Sequence, residues 1–178
     1  MRVHAIFLAA VLAATPVCAA EPVATDGSHG FDFEFGRWRV KHHVKRPDGT
    51  WVDYTGTSDD RPLMDGSANV EDNTFHKPDG TITRGVALRA FDAKTGLWAI
   101  WWIDGRNPHA PLDPPAKGRF ENGVGTFSSE TTANGVTTIG RLIWKDITAN
   151  TAHWEQATST DGGKTWDTNW TMEFERAP

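Results

Sequence analysis

Trp166-Asp167-Thr168-Asn169-Trp170-Thr171-Met172-Glu173-Phe174 alternates at every step between one class of side chain and another. A period of two belongs to a β-strand with one face buried. The spacing predicts that Trp166, Thr168, Trp170, Met172 and Phe174 face inward, while Asp167, Asn169, Thr171 and Glu173 face solvent. Far away in sequence, Trp38, Val40, His42 and Val44 alternate in the same way with Arg37, Arg39, Lys41, His43 and Lys45. There the pattern predicts His42 inside and His43 outside.

Between these two stretches the chain repeats one theme, a run rich in β-branched and aromatic residues followed by a short turn cluster. The clusters include Pro47-Asp48-Gly49, Lys77-Pro78-Asp79-Gly80, Ala93-Lys94-Thr95-Gly96, Glu121-Asn122-Gly123, Asn134-Gly135, Ala149-Asn150-Thr151 and Asp161-Gly162-Gly163. They separate about ten candidate strands, near 37–46, 51–58, 67–76, 81–92, 97–104, 118–121, 125–132, 136–147, 152–159 and 166–176. No 3.6-residue apolar stripe competes over a comparable length, and only Ser28 to Gly36 leaves room for a short helix. Many short strands joined by tight turns predict an all-β, up-and-down antiparallel barrel, because closure removes exposed strand edges. The rhythm breaks at Arg106 to Lys117, where Pro108, Pro111, Pro114 and Pro115 exclude a central strand and predict a long loop at one barrel mouth.

The first twenty residues differ from the rest. Arg2 precedes an apolar run from Ala5 to Val17, and Val17-Cys18-Ala19-Ala20 supplies small residues for cleavage, the layout of a secretory signal peptide. The run is too short for a retained spanning helix, which needs ~20 residues. The reading is therefore a leader over 1–20, a flexible segment over 21–30 and one barrel domain over 31–178, periplasmic or secreted, with no integral membrane anchor after processing. Cleavage there removes Cys18, the sole cysteine, so disulfides and thiol nucleophiles drop out. The chain carries 23 acidic against 18 basic residues, a balance that argues against nucleic acid as a partner.

Gly36-Arg37-Trp38 resembles the Gly-x-Trp signature of lipocalins and the wider calycin superfamily. The larger frame consists of Phe31 to Trp38, Phe91-Asp92 with Gly96 and Trp98, Trp154-Glu155-Gln156, and Ser159 to Trp166. It resembles a bacterial family of lipocalin-like domains with no assigned activity. The resemblance implies a calycin-type barrel and carries no catalytic residue. By the same likeness, Arg176 on the last strand is placed to pack on Trp38, as a basic residue does in lipocalins. Ser159 to Trp166 also resembles an Asp-box hairpin, read here as a turn in which Asp161 binds nearby backbone amides.

Among polar residues on the inward faces, His42 suits proton transfer near neutrality, with a core histidine satisfied by a Thr or Trp neighbour as its structural counterpart. In 152–159, pairing of Trp154 with Trp170 turns Gln156 inward, whereas a one-residue slip would instead present His153 and Glu155 as an acid/base pair. Arg84 and Arg89 fall on opposite faces of one strand, so one of them is expected inside, bound to Asp53, Asp72 or Glu71. There is no His-x-His, His-Glu-x-x-His or cysteine set, so no metal and no cofactor is expected; haem would have to use His42, His76, His109 or His153. These residues point to a cavity for a small apolar or aromatic molecule contacted by Trp38, His42, Trp154, Gln156 and Trp170. The alternative is a cavity enzyme of isomerase, lyase or hydrolase type using His42 or His153/Glu155. Leu97 to Ile103 is apolar on both faces, which leaves its orientation open and offers a surface for homo-oligomer formation.

Overall fold

A computed structural model describes residues 26–178; the leader over 1–20 and the first part of the 21–30 segment lie outside them. Ten strands follow in order: β1 (Gly36–Lys45), β2 (Trp51–Leu63), β3 (Ala68–His76), β4 (Ile82–Asp92), β5 (Leu97–Asp104), β6 (Ala116–Glu121), β7 (Val124–Ala133), β8 (Val136–Lys145), β9 (Thr151–Ser159) and β10 (Asp167–Arg176). Each pairs antiparallel with its sequence neighbour, and β10 closes the ring on β1 from Trp38↔Arg176 to Val44↔Trp170. The expected up-and-down barrel is what forms. Tight connections follow from turn chemistry: Asn122-Gly123 and Asn134-Gly135 both hold positive φ at each residue, the conformation that two-residue hairpins require.

Strand β2 runs past the expected 58 to Leu63. Pro62 lies beyond the last β1 partner, Gly36↔Asp60, and pairs only with Asn69 of β3. A missing N–H therefore breaks no ladder on the β1 side.

The opening alternation holds only from Trp170 onward. A register shift lies between Thr168 and Trp170: Thr168 is opposite Ala157, and Trp170 is opposite the very next residue back, Gln156. Asn169 is the extra residue of a β-bulge, which reverses the faces on either side of it. Trp166 and Thr168, expected inside, therefore sit on the outer surface. Trp166 packs there under Arg141, whose guanidinium carbon is 3.9 Å from the ring centroid, and Thr168 donates to Glu155 Oε1 at 3.2 Å.

One end of the barrel is sealed by the segment before β1, which includes a 3₁₀ turn at Asp32–Glu34. Phe31 is fully buried and meets Trp98, Phe120 and Phe127 with ring centroids 5.0, 4.9 and 5.4 Å away. Burying a large apolar side chain contributes roughly 1.5–3 kcal/mol, so this aromatic floor is a principal source of stability. Two indoles tie the plug to the strands: Trp38 Nε1 donates to Glu34 O at 2.6 Å and Trp98 Nε1 to Gly27 O at 2.9 Å. Arg176 lies 3.8 Å over the Trp38 ring and donates to Phe35 O and Phe33 O. The stacking suggested by the lipocalin likeness is present.

On β5, Trp98, Ile100 and Trp102 alternate inward against Phe91, Arg89 and Ala87 of β4. The outer face is apolar as well, with Leu88 and Ile103 exposed. Among the described residues no helix is long and apolar enough to cross a membrane.

Candidate functional site

Above the aromatic floor the barrel encloses a cavity of 390 Å³, at the lower end of the ~300–1,000 Å³ range of small-molecule sites. Positions on eight strands, β3 to β10, together with the loop after β5, make its wall. Trp102, Trp144, Trp154 and Trp170 supply indoles, while Asn73, Ser129, Gln156 and Thr158 supply neutral polar groups. Glu71 and Arg89 face it from the floor side. Asp113 and Pro114 come from the proline-rich loop, which reaches over the mouth as its composition implied. Trp154 and Trp170 meet edge to face at 5.5 Å, and Gln156 Nε2 donates to the bulged Asn169 Oδ1 at 2.9 Å.

The five residues expected to contact a ligand divide. Trp154, Gln156 and Trp170 line the cavity, as the pairing Trp170↔Gln156 dictates. Trp38 lies below it in the floor, held by Glu34 and Arg176. His42 lies behind the wall. It is buried, stacked on Tyr54 at 4.7 Å between ring centroids and close to Phe75 and Trp170. Gly56 makes room for it, since a Cβ there would fall 2.7 Å from His42 Nε2. Trp170 Nε1 donates to His42 Nδ1 at 3.3 Å, which fixes Nδ1 as the acceptor. Burial, and then the nearby Lys77 ammonium, push the His42 pKa down to about 3. A neutral imidazole thus holds an indole of the cavity wall in place.

That depression has a thermodynamic consequence. Between about pH 6.5 and pH 3 the unfolded chain takes up a proton that folded His42 refuses. This contribution to stability is full above pH 6.5 and is lost as pH falls. Melting curves for His42→Gln, which retains an acceptor for the indole, should lose less stability than wild type over that interval; parallel curves would contradict a buried neutral imidazole.

His153 and Glu155 point outward. His153 Nδ1 is 2.6 Å from Glu173 Oε1, and Glu155 faces Arg141 and Lys145. The slip that would have turned them inward does not occur, because Trp154 and Gln156 hold the inward places. The acid/base pair expected of an enzyme at His42 or at His153/Glu155 is therefore not assembled in the cavity. His76 and His109, like His42 and His153, are absent from the cavity wall. Among the described residues no three His, Cys, Asp or Glu side chains group as a metal site.

Of the two arginines on β4, Arg84 is outside, paired with Asp72, and Arg89 is inside. Arg89 binds Glu71, one of the expected carboxylates, and two more that strand spacing did not single out. Its Nη1 lies 2.8 Å from Glu34 Oε2 and donates to Asp60 Oδ2 at 2.9 Å, and its Nη2 binds Glu71. Ser58 Oγ donates to Glu71 Oε1 at 2.7 Å. Three buried carboxylates thus surround one guanidinium. Burial holds the Glu34 carboxyl well above the usual range against the pull of Arg89, and raises Asp60 to about 7. Burial opposes the charge on Arg89, but Glu34, Glu71 and Asp60 more than offset it, so Arg89 stays cationic. The floor of the cavity is consequently rich in acceptors and protons, with the Arg89 guanidinium shared among three carboxylates.

No family model matches the sequence, and no curated protein matches it. Among solved structures, the chain is similar to Rv2717c from M. tuberculosis, with a TM-score of 0.58 at 8% identity over 88% of this chain and 100% of that one. It is also similar to the S-type phycobiliprotein lyase CPES from Guillardia theta, with a TM-score of 0.50 at 10% identity over 84% and 91% of the two chains. At such identities the likeness is one of fold, a calycin-like β-barrel.

Proposed function

We propose that the protein binds a small, planar, partly polar aromatic molecule inside its barrel, with Trp154 and Trp170 packing on the rings and Gln156 meeting a polar atom. The observation that carries this is the 390 Å³ cavity bounded by indoles and neutral amides. Aromatic walls favour flat apolar bodies, and a few fixed amides orient them. The fold shared with a phycobiliprotein lyase is compatible with this reading but supplies no residue to it. The leader pattern at 1–20 supports a site of action outside the cytoplasm.

Gly140 gives a clean test. It lines the cavity opposite Ser129 on β7, and a Cβ there would find its nearest neighbour, Ser129 Oγ, at an ordinary 3.4 Å. Gly140→Leu therefore occupies the cavity without removing a packed side chain. Calorimetric titration with 2-naphthamide, a neutral two-ring probe, should give saturable binding to the wild type. Gly140→Leu should weaken it by at least about tenfold, ~1.4 kcal/mol, with an unchanged melting temperature. Equal affinity in both proteins, or no binding to the wild type, would overturn the cavity reading.

A further inference from the structure

The cavity has two chemically different ends. Its floor offers an anion no free cation, because Arg89 already faces three carboxylates. At the opposite end a smaller recess of 170 Å³ adjoins it, and Phe75, Trp102 and Trp170 line both. Lys77, Arg106 and Tyr54 also line that recess. Lys77 Nζ sits 3.8 Å from the Tyr54 ring centroid and 5.2 Å from that of Phe75. The carboxylates nearest to it are committed elsewhere. Asp104 grips Arg106, with Oδ2 2.5 Å from Nη2, and Asp79 accepts the Thr81 amide at 2.9 Å within its own turn. Partial burial, and then Arg106, lower the pKa of Lys77, as befits an ammonium held over ring faces with no bound carboxylate. A cation over aromatic faces is stabilised by their quadrupole but keeps donors free for an anion.

We infer that the ligand is an aromatic acid, inserted ring-first, whose anionic group stays at the mouth on Lys77. The inference rests on the cavity reading and adds the ligand's charge and direction. A carboxylate at the mouth would meet an ammonium that no carboxylate binds directly, in a partly desolvated setting where such pairs are stronger than in water. The same group turned inward would be buried beside Glu34, Asp60 and Glu71, where the one guanidinium is already shared among them. The asymmetry selects for one orientation and against neutral or cationic analogues of the same shape.

The test compares 2-naphthoate with 2-naphthamide, which differ only in the charged group, by calorimetric titration at neutral pH. Naphthoate should bind the wild type about tenfold more tightly, and added salt should weaken naphthoate alone. Lys77→Met should abolish the preference while leaving naphthamide affinity unchanged, and Lys77→Arg should retain it. The inference is overturned if naphthamide binds and is blocked by Gly140→Leu while naphthoate binds no better, or if Lys77→Met weakens both probes equally. Failure of both probes to bind overturns the cavity reading and this inference with it.

Discussion

Arg89→Met should destabilise the protein by about 3–5 kcal/mol, the usual cost of removing one partner from a buried ionic cluster. The side chain is 3% exposed, and Glu34, Asp60 and Glu71 all turn toward it. Without the guanidinium those carboxylates must either remain charged in a low-dielectric interior or take up protons. The guanidinium also lies 4.7 Å over the Phe31 ring, so its loss loosens the plug. Urea unfolding would measure the deficit, and its pH dependence would identify the cause. A carboxyl whose folded pKa is raised binds its proton more tightly when folded, so its contribution to stability is lost as pH rises through that pKa. Asp60, raised from 3.8 to about 7, already does this in the wild type. In Arg89→Met Glu34 and Asp60 lose the pull of the guanidinium that lowers both in the wild type, making the deficit larger at about pH 8 than at about pH 5. Adding Glu34→Gln, Asp60→Asn and Glu71→Gln should recover part of the loss and flatten the pH dependence. A deficit independent of pH would mean that lost packing, and not stranded charge, is the cause.

Trp38→Ala should cost a comparable ~3–5 kcal/mol through the void left in the floor. The indole is 1% exposed, lies edge to face with Phe174 at 6.1 Å, carries Arg176 on its ring and donates to Glu34 O. Its removal uncouples the plug, β1 and β10 together. Trp38→Phe retains most of the packing and loses the N–H, so it should cost about 1–2 kcal/mol, the size of one buried hydrogen bond and some volume. Because Trp38 stands in the floor and not in the cavity wall, naphthamide should bind Trp38→Phe as it binds the wild type. Thermal melting and titration of the same preparations check both statements. A loss of affinity with little loss of stability would return Trp38 to the ligand site.

The number, order and approximate limits of all ten strands were legible in the sequence, because Gly, Asn, Asp and Pro clusters mark each turn and the aromatic runs between them alternate. Three cavity residues were legible for the same reason, since one pairing, Trp170 with the 152–159 strand, orients both Trp154 and Gln156. What escaped has specific physical causes. Period-two reasoning cannot see an inserted residue, so Asn169 misdirected Trp166 and Thr168. Glu34 and Asp60 escaped as partners of Arg89 because one lies in a 3₁₀ turn with no periodicity and the other beyond the expected strand end at 58. His42 was correctly turned inward, but inwardness does not separate a side chain that lines a void from one packed behind it. Alternation from Glu71 through Asn73 to Phe75 carries a signal for that part of the wall. The unpaired state of Lys77 depends on where Asp104 and Asp79 direct their oxygens, which no local pattern encodes.

The bulge at Asn169 also bears on how this barrel can vary. It works as a phase boundary, so that the outward sequence of β10 before it and the inward sequence after it answer to separate demands. Before it lie the Ser159–Thr165 hairpin, where Asp161 accepts the Lys164 and Thr165 amides at 3.0 Å, and the Trp166–Arg141 stack on the outer surface. After it lie the cavity indole Trp170, then Met172 and Phe174. A substitution in the hairpin therefore need not propagate into the chemistry of the interior. The fold has in effect a replaceable outer clasp joined to a constrained inner lining, with one residue as the partition between them.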